Sequence, residues 1–128
     1  MKQVIKGKRY DTETAKYITE ISSREQGIGP SDFRYWEETL YMKRTGEFFL
    51  FGEGGPMTKY RKPYENNGWQ SGYKIVPLTL EEAQEWAEQA MDADEYEAIF
   101  GPVEEEDGEF VNHSTYKMIK WLAEQNKK

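Results

Sequence analysis

Residues 33–51 read FRYWEETLYMKRTGEFFLF and predict a β-hairpin. Residues 33–43 and 47–51 are rich in the aromatic and β-branched types that strands favour. Between them, Arg44-Thr45-Gly46 supplies a tight turn with glycine where a positive φ is needed. Residues 48–51 show no polar alternation, so we expect both faces of this strand to be covered. The hairpin is therefore the predicted centre of a small antiparallel sheet.

Further elements are predicted on either side of this hairpin. Residues 3–10 read as a strand with a turn or bulge around Gly7, and residues 73–76 read as a third sheet strand. A short helix is expected over residues 12–21, capped by the polar residues at its start. Residues 52–72 are rich in glycine and predict a long connection.

Capping signals predict helices after the third sheet strand. Residues 79–82, Thr-Leu-Glu-Glu, form a capping box, and residues 92–95 form a possible second one. Gly101-Pro102 is a stop signal, and residues 114–125 show apolar residues at helical spacing. We therefore predict an α+β fold, a small antiparallel β-sheet with helices packed on it and an acidic helical segment. The predicted single domain, 1–128, divides into 1–78 (mainly sheet plus one short helix), 79–100 (acidic helices), 101–113 (acidic linker) and 114–128 (C-terminal helix).

Composition favours a folded chain without disulfides. Hydrophobic residues make up 37 % of the 128 residues, but aromatic residues reach 15 % and there is no cysteine. The first residues alternate in charge and lack the apolar stretch of a signal peptide. No apolar run approaches the ~20 residues needed to span a bilayer. We expect a cytoplasmic protein with no membrane partner.

The net charge of −7 comes from one segment of the chain. Between Lys74 and Lys117 there is no lysine or arginine, and there are thirteen carboxylates. A block of this kind repels free nucleic acid and attracts basic surfaces, especially grooves built to bind nucleic acid. We therefore expect no direct binding of free DNA, and a partner with a cationic groove.

Five carboxylates in this segment recur at helical spacing, namely Glu81, Glu85, Glu88, Asp92 and Glu95. If one helix ran through all five, it would carry a charge every ~5.3 Å along its axis, from the 1.5 Å rise per residue. Duplex DNA carries one phosphate per ~3.4 Å on each strand. The spacings are comparable, which favours nucleic-acid mimicry. An ordinary solvated helix face is the alternative, although the absence of Glu-to-Lys pairs four residues apart argues against it.

A second candidate surface is the connection Gly52–Gly72. It contains Tyr60, Arg61 and Trp69, which are the residue types that commonly anchor protein–protein contacts. No nucleophile, base and orienting group stand in a recognisable pattern, so we predict no catalytic residues and no enzyme. A single histidine without cysteine gives little basis for a metal site, and we expect neither metal nor cofactor.

Four segments together resemble a family of small proteins carried by phages and conjugative elements of Gram-positive bacteria. They are residues 7–16, 38–50, 52–57 and 74–79, and the resemblance extends over roughly residues 4–100. Some small acidic proteins of this kind are type II anti-CRISPR proteins, inhibitors of the RNA-guided DNA nuclease. The resemblance implies an accessory protein of a mobile element and transfers no individual functional residue.

Charge and resemblance together predict a non-catalytic inhibitor that acts in the host bacterial cytoplasm. Its partner would be a host nucleic-acid-binding defence protein, in particular the type II CRISPR nuclease with or without guide RNA. The alternative is a protein–protein interaction module of a phage or conjugative element, anchored by the Gly52–Gly72 connection.

Overall fold

The computed structural model describes residues 1–104 and 113–125. The strands are β1 (Lys2–Ile5), β2 (Lys8–Asp11), β3 (Lys16–Ser22), β4 (Trp36–Met42), β5 (Phe48–Gly54), β6 (Lys62–Tyr64), β7 (Gly68–Gln70) and β8 (Gly72–Leu78). The α-helices are α1 (Leu80–Ala90), α2 (Ala93–Phe100) and α3 (His113–Gln125), and a 3₁₀ turn spans Ser23–Gln26.

A four-stranded antiparallel sheet, ordered β3–β4–β5–β8, forms the centre of the fold. Strands β1 and β2 pair as one separate hairpin, and β6 and β7 pair as another. The predicted α+β class is confirmed. None of the helices in the described parts of the chain is long and apolar enough to cross a membrane.

The predicted central hairpin is present as β4 and β5. Met42 pairs with Phe48 beside the turn, and Trp36 pairs with Gly54 at the far end. Gly46 has φ 89°, as the turn requires. Strand β5 extends to Gly54, beyond the predicted end at residue 51. Gly52 and Gly54 both pair with β4 and so continue the strand.

The central sheet buries apolar side chains on both faces. On the helix face, which α1 and α2 cover, Leu40 and Leu50 cluster with Ala83. On the hairpin face, which the β1–β2 hairpin covers, Phe49 and Tyr10 cluster, with ring centroids 5.4 Å apart. This confirms that both faces of β5 are covered near residues 48–51, as its uninterrupted apolar run predicts.

The short helix predicted over residues 12–21 is wrong, since most of that segment forms β3. Thr19 and Ile21 are β-branched and gain more by pairing with β4 residues than a short isolated helix would give them. Asp11 does act as a polar cap, but of a turn: its Oδ1 accepts the Glu13 N–H at 2.9 Å.

The connection predicted over residues 52–72 is also more ordered than its glycine content suggests. Its first residues complete β5, and β6 and β7 form a hairpin within it. Gly52 belongs to β5, and this strand position requires glycine because the ring of Tyr60 occupies the space that a Cβ would fill. Glycine here permits a close approach and does not mark a loop.

The predicted helix signals are confirmed. Thr79 and Glu82 form the capping box of α1, with side chain-to-backbone distances of 3.1 and 3.0 Å. Gly101, at φ 91°, follows α2. The last helix is present as α3, and its side chains from residue 117 to 125 are exposed. Residues 105–112 of the predicted linker, and 126–128, lie outside the described residues.

Candidate partner-binding surfaces

The five carboxylates that recur at helical spacing are divided between two helices. Glu81, Glu85 and Glu88 are exposed on α1, which ends at Ala90. Met91 then adopts an extended conformation, with φ −127° and ψ 149°. One helix therefore does not run through all five carboxylates, because Asp92 and Glu95 belong to the start of α2, the helix expected from the capping signal at residues 92–95.

Charge on these helices is not neutralised within the described part of the chain. All ion pairs there involve residues outside α1 and α2, so none of the five carboxylates takes part in one. Asp92 caps α2 by accepting the Glu95 N–H at 2.8 Å. Its negative charge raises the pKa of Glu95. Glu81, Glu85 and Glu88 make no side-chain hydrogen bond in the described chain, so they can meet a cationic partner without loss of a structural contact.

The loop predicted as an alternative surface has its tyrosine inside the protein. Tyr60 is only 5 % exposed, and its hydroxyl donates to Glu38, which is also buried. The Trp86 Nε1–H of α1 donates to the other oxygen of Glu38 at 3.0 Å. The Lys59 Nζ lies 2.9 Å from the oxygen that accepts from Tyr60. These four residues connect β4, the loop and α1, so Tyr60 is unavailable as a partner anchor.

The carboxyl of Glu38 is held in its ionised form by this network. Burial is the largest influence and favours the neutral acid, but the hydrogen bonds from Tyr60, Lys59 and Trp86 together outweigh it and lower the pKa. A buried carboxylate with all partners in place is a fixed structural element. Removing the Trp86 N–H would leave one charged oxygen without a donor, and removing the Tyr60 hydroxyl would leave the other oxygen to Lys59 alone.

Arg61 and Trp69, the other two residues of that prediction, do lie together on the surface. The guanidinium carbon of Arg61 is 3.8 Å from the Trp69 ring centroid, and Trp69 is 48 % exposed. Lys62 lies 5.7 Å from the ring of Tyr73. The β6–β7 hairpin therefore presents a small surface of cations stacked on aromatic rings.

A feature absent from the sequence predictions is a pair of glutamates on the hairpin face. Glu37 of β4 and Glu53 of β5 occupy directly opposite register positions, and the Tyr35 hydroxyl donates to Glu37 at 2.8 Å. Glu53 lines a cleft of about 620 Å³ together with Phe33, Tyr35 and Tyr73. We call this the aromatic cleft. Glu37 lines a smaller neighbouring cleft that shares Tyr35.

The surroundings of the two glutamates favour one bound proton, on Glu53. A hydrogen bond with Glu37, burial and the negative charge of Glu37 raise the pKa of Glu53 to about 7. The same hydrogen bond, followed by that from Tyr35, lowers the pKa of Glu37. Two carboxyls this close cannot both ionise cheaply, so one holds the proton for the pair.

The hairpin turn contained a signal for this pair. A turn centred on Thr45 places residue 37 opposite residue 53, as the observed register does. The pairing of Glu37 with Glu53 was not predicted, because glycine at position 52 favours an end of the strand at residue 51. In contrast, no local pattern marks Glu38 as buried, since that depends on a loop and a helix distant in sequence.

Comparison of the chain with protein-family models, with curated proteins and with solved structures gave no match. Within residues 1–104 and 113–125, no three histidine, cysteine or acidic side chains are grouped so that they could hold a metal ion.

Proposed function

We propose that this protein is a non-catalytic inhibitor of a host nucleic-acid-binding defence protein. It acts in the cytoplasm of the bacterial host, and its target is the type II RNA-guided nuclease of the CRISPR system. The acidic surface of α1, Glu81, Glu85 and Glu88, enters the cationic channel that otherwise holds nucleic acid. Asp92 and Glu95, at the start of α2, add charge beside it.

The observation that carries this proposal is the set of exposed carboxylates on α1 and α2 that form no ion pair with the described residues. The described helices α1 and α2 contain no basic residue in their last turns, where lysine or arginine would complement the helix dipole. Such a helix is less stable in the free protein, and a basic groove that covers it would stabilise it. The resemblance of residues 4–100 to mobile-element proteins supports the choice of target.

Competition of this kind depends on salt. A protein groove that binds nucleic acid releases counterions, and an acidic protein surface that replaces the nucleic acid draws on the same free energy. We therefore expect inhibition of target-DNA cleavage to weaken as the salt concentration rises. Adding the protein before or after the guide RNA would show whether guide or target is displaced.

The test is a charge reversal on α1. Glu81→Lys, Glu85→Lys and Glu88→Lys, combined, should abolish inhibition of a purified type II nuclease, while the circular dichroism spectrum stays unchanged. The matched control reverses Glu13, Glu25 and Glu65, which are also exposed, and so changes the net charge by the same amount.

The control variant should inhibit like the unmodified protein. If the α1 variant inhibits as well as the control does, mimicry by α1 is wrong. If neither variant nor the unmodified protein inhibits any of several orthologous nucleases, the target is wrong.

A second candidate function is a protein-interaction module that uses the β6–β7 hairpin. The stacked pair Arg61 and Trp69 favours it, because exposed arginine and tryptophan are common interface anchors. Alanine at both positions should weaken partner binding in this mode and leave inhibition through α1 intact. Tyr60 is unsuitable for this test, because its replacement would disturb the buried Glu38 network.

A further inference from the structure

The aromatic cleft combines an unusual charge arrangement with exposed aromatic walls. Phe33 and Tyr73 are 66 % and 56 % exposed, although each ring is large and apolar. In the described chain, no lysine or arginine nitrogen lies within 4.0 Å of Glu37 or Glu53. Like charges directly opposite each other destabilise a sheet. The cleft therefore exposes aromatic surface beside a carboxyl pair that a cation would stabilise, with Glu53 in its lining and Glu37 in the neighbouring cleft.

We propose that the aromatic cleft binds an arginine side chain of a partner protein, with the guanidinium against Glu53 at the boundary with Glu37 and the alkyl stem against Phe33 and Tyr73. A guanidinium is planar, so it can donate to two carboxylates at once and stack on an aromatic ring. The protein has a guanidinium–aromatic contact beside this cleft, since the Arg24 guanidinium carbon lies 5.8 Å from the Tyr35 ring centroid.

This site is distinct from the acidic surface of α1. Glu37 and Glu53 lie on the hairpin face of the sheet, whereas α1 packs on the helix face. The two proposals can therefore fail separately. Reversal of the three α1 glutamates should leave arginine binding in the cleft unchanged.

Binding should also release the proton bound by the glutamate pair, because a cation favours ionisation of both carboxyls. Affinity should therefore rise as pH increases through about 7. Other charged or titratable groups lie near the pair. They are Glu20 of β3, Arg24 and Glu25 of the 3₁₀ turn, Asp32 with its ion-pair partner Arg34, Tyr35, Tyr73 of β8, and Lys62, which faces Tyr73.

The experiment is an NMR titration of the full chain with capped tripeptides, Gly-Arg-Gly against Gly-citrulline-Gly and Gly-Lys-Gly. Citrulline has the same shape as arginine but no charge, and lysine has the charge without the planar group. The arginine peptide should shift the backbone amides of Gly54, Gly55 and Gly72, which line the cleft. The other two peptides should bind about tenfold more weakly or not at all.

Variants identify the groups responsible. Glu53→Gln should weaken arginine binding about tenfold and remove its pH dependence, since one charged contact and the bound proton are both lost. Phe33→Ala should also weaken binding, and Glu13→Gln, which removes an exposed charge elsewhere, should not. Equal binding of arginine and citrulline peptides, equal binding of the lysine peptide, or an unchanged affinity in folded Glu53→Gln would overturn the proposal.

Discussion

Replacing Glu53 with glutamine should stabilise the protein at neutral and alkaline pH. The pKa of Glu53 rises from 4.5 to about 7 on folding. Between these values the folded protein holds a proton that the unfolded chain has lost. Stability that is present below pH 4.5 is therefore lost as pH rises through 7. Glutamine resembles the protonated acid and has no such loss.

The size of the effect follows from the shift in pKa. A full shift from 4.5 to about 7 would correspond to about 3 kcal/mol, at 1.36 kcal/mol per unit. The lowered pKa of Glu37 opposes it, and the remaining solvent access of Glu53 screens it. We therefore expect the free energy of unfolding of Glu53→Gln to exceed that of the unmodified protein by about 1–2 kcal/mol at pH 8. This corresponds to a rise of roughly 4–8 °C in Tm.

The measurement is urea unfolding of both proteins at small steps from about pH 5 to pH 8. The difference between the two free energies of unfolding isolates the Glu37–Glu53 pair, because other carboxylates with lowered pKa, such as Asp32 and Glu47, contribute equally to both. Glu65→Gln, which removes an exposed charge, serves as control and should follow the unmodified protein. A difference that stays constant with pH would refute the raised pKa of Glu53.

Three further substitutions test the packing between the sheet, the loop and α1. Tyr60→Phe removes a donor from buried Glu38 and should lower the free energy of unfolding by about 1–3 kcal/mol in urea titrations; a cost near zero would mean that another donor replaces the hydroxyl. Gly52→Ala places a Cβ that collides with the Tyr60 ring, so it should lower the free energy of unfolding by at least about 2 kcal/mol or prevent folding, as measured by circular dichroism. A variant as stable as the unmodified protein would exclude this close approach. Thr79→Ala should cost about 1 kcal/mol by removing the cap of α1, with a matching fall in Tm, and an unchanged Tm would mean that the capping box contributes nothing.

The sequence by itself was sufficient for the features that depend on neighbouring residues. The turn at Gly46 and the apolar residues beside it determine the central hairpin. The Thr79 capping box determines where α1 begins, and Gly101 determines where α2 ends. The segregation of charge is a property of composition alone. Each of these signals acts within a few residues, where the chain supplies both partners of the interaction.

Tertiary structure decided the features that join distant segments. Residues 16–22 form β3 because β4 offers an edge to pair with, which outweighs a local cap. Tyr60 is buried because Gly52, Glu38 and Trp86 together make a place for its ring and hydroxyl. The pKa of Glu53 is raised because the extended register of β4 and β5 places it opposite Glu37. In each case the stabilising partner lies elsewhere in the sequence, so its effect exists only once the chain has folded.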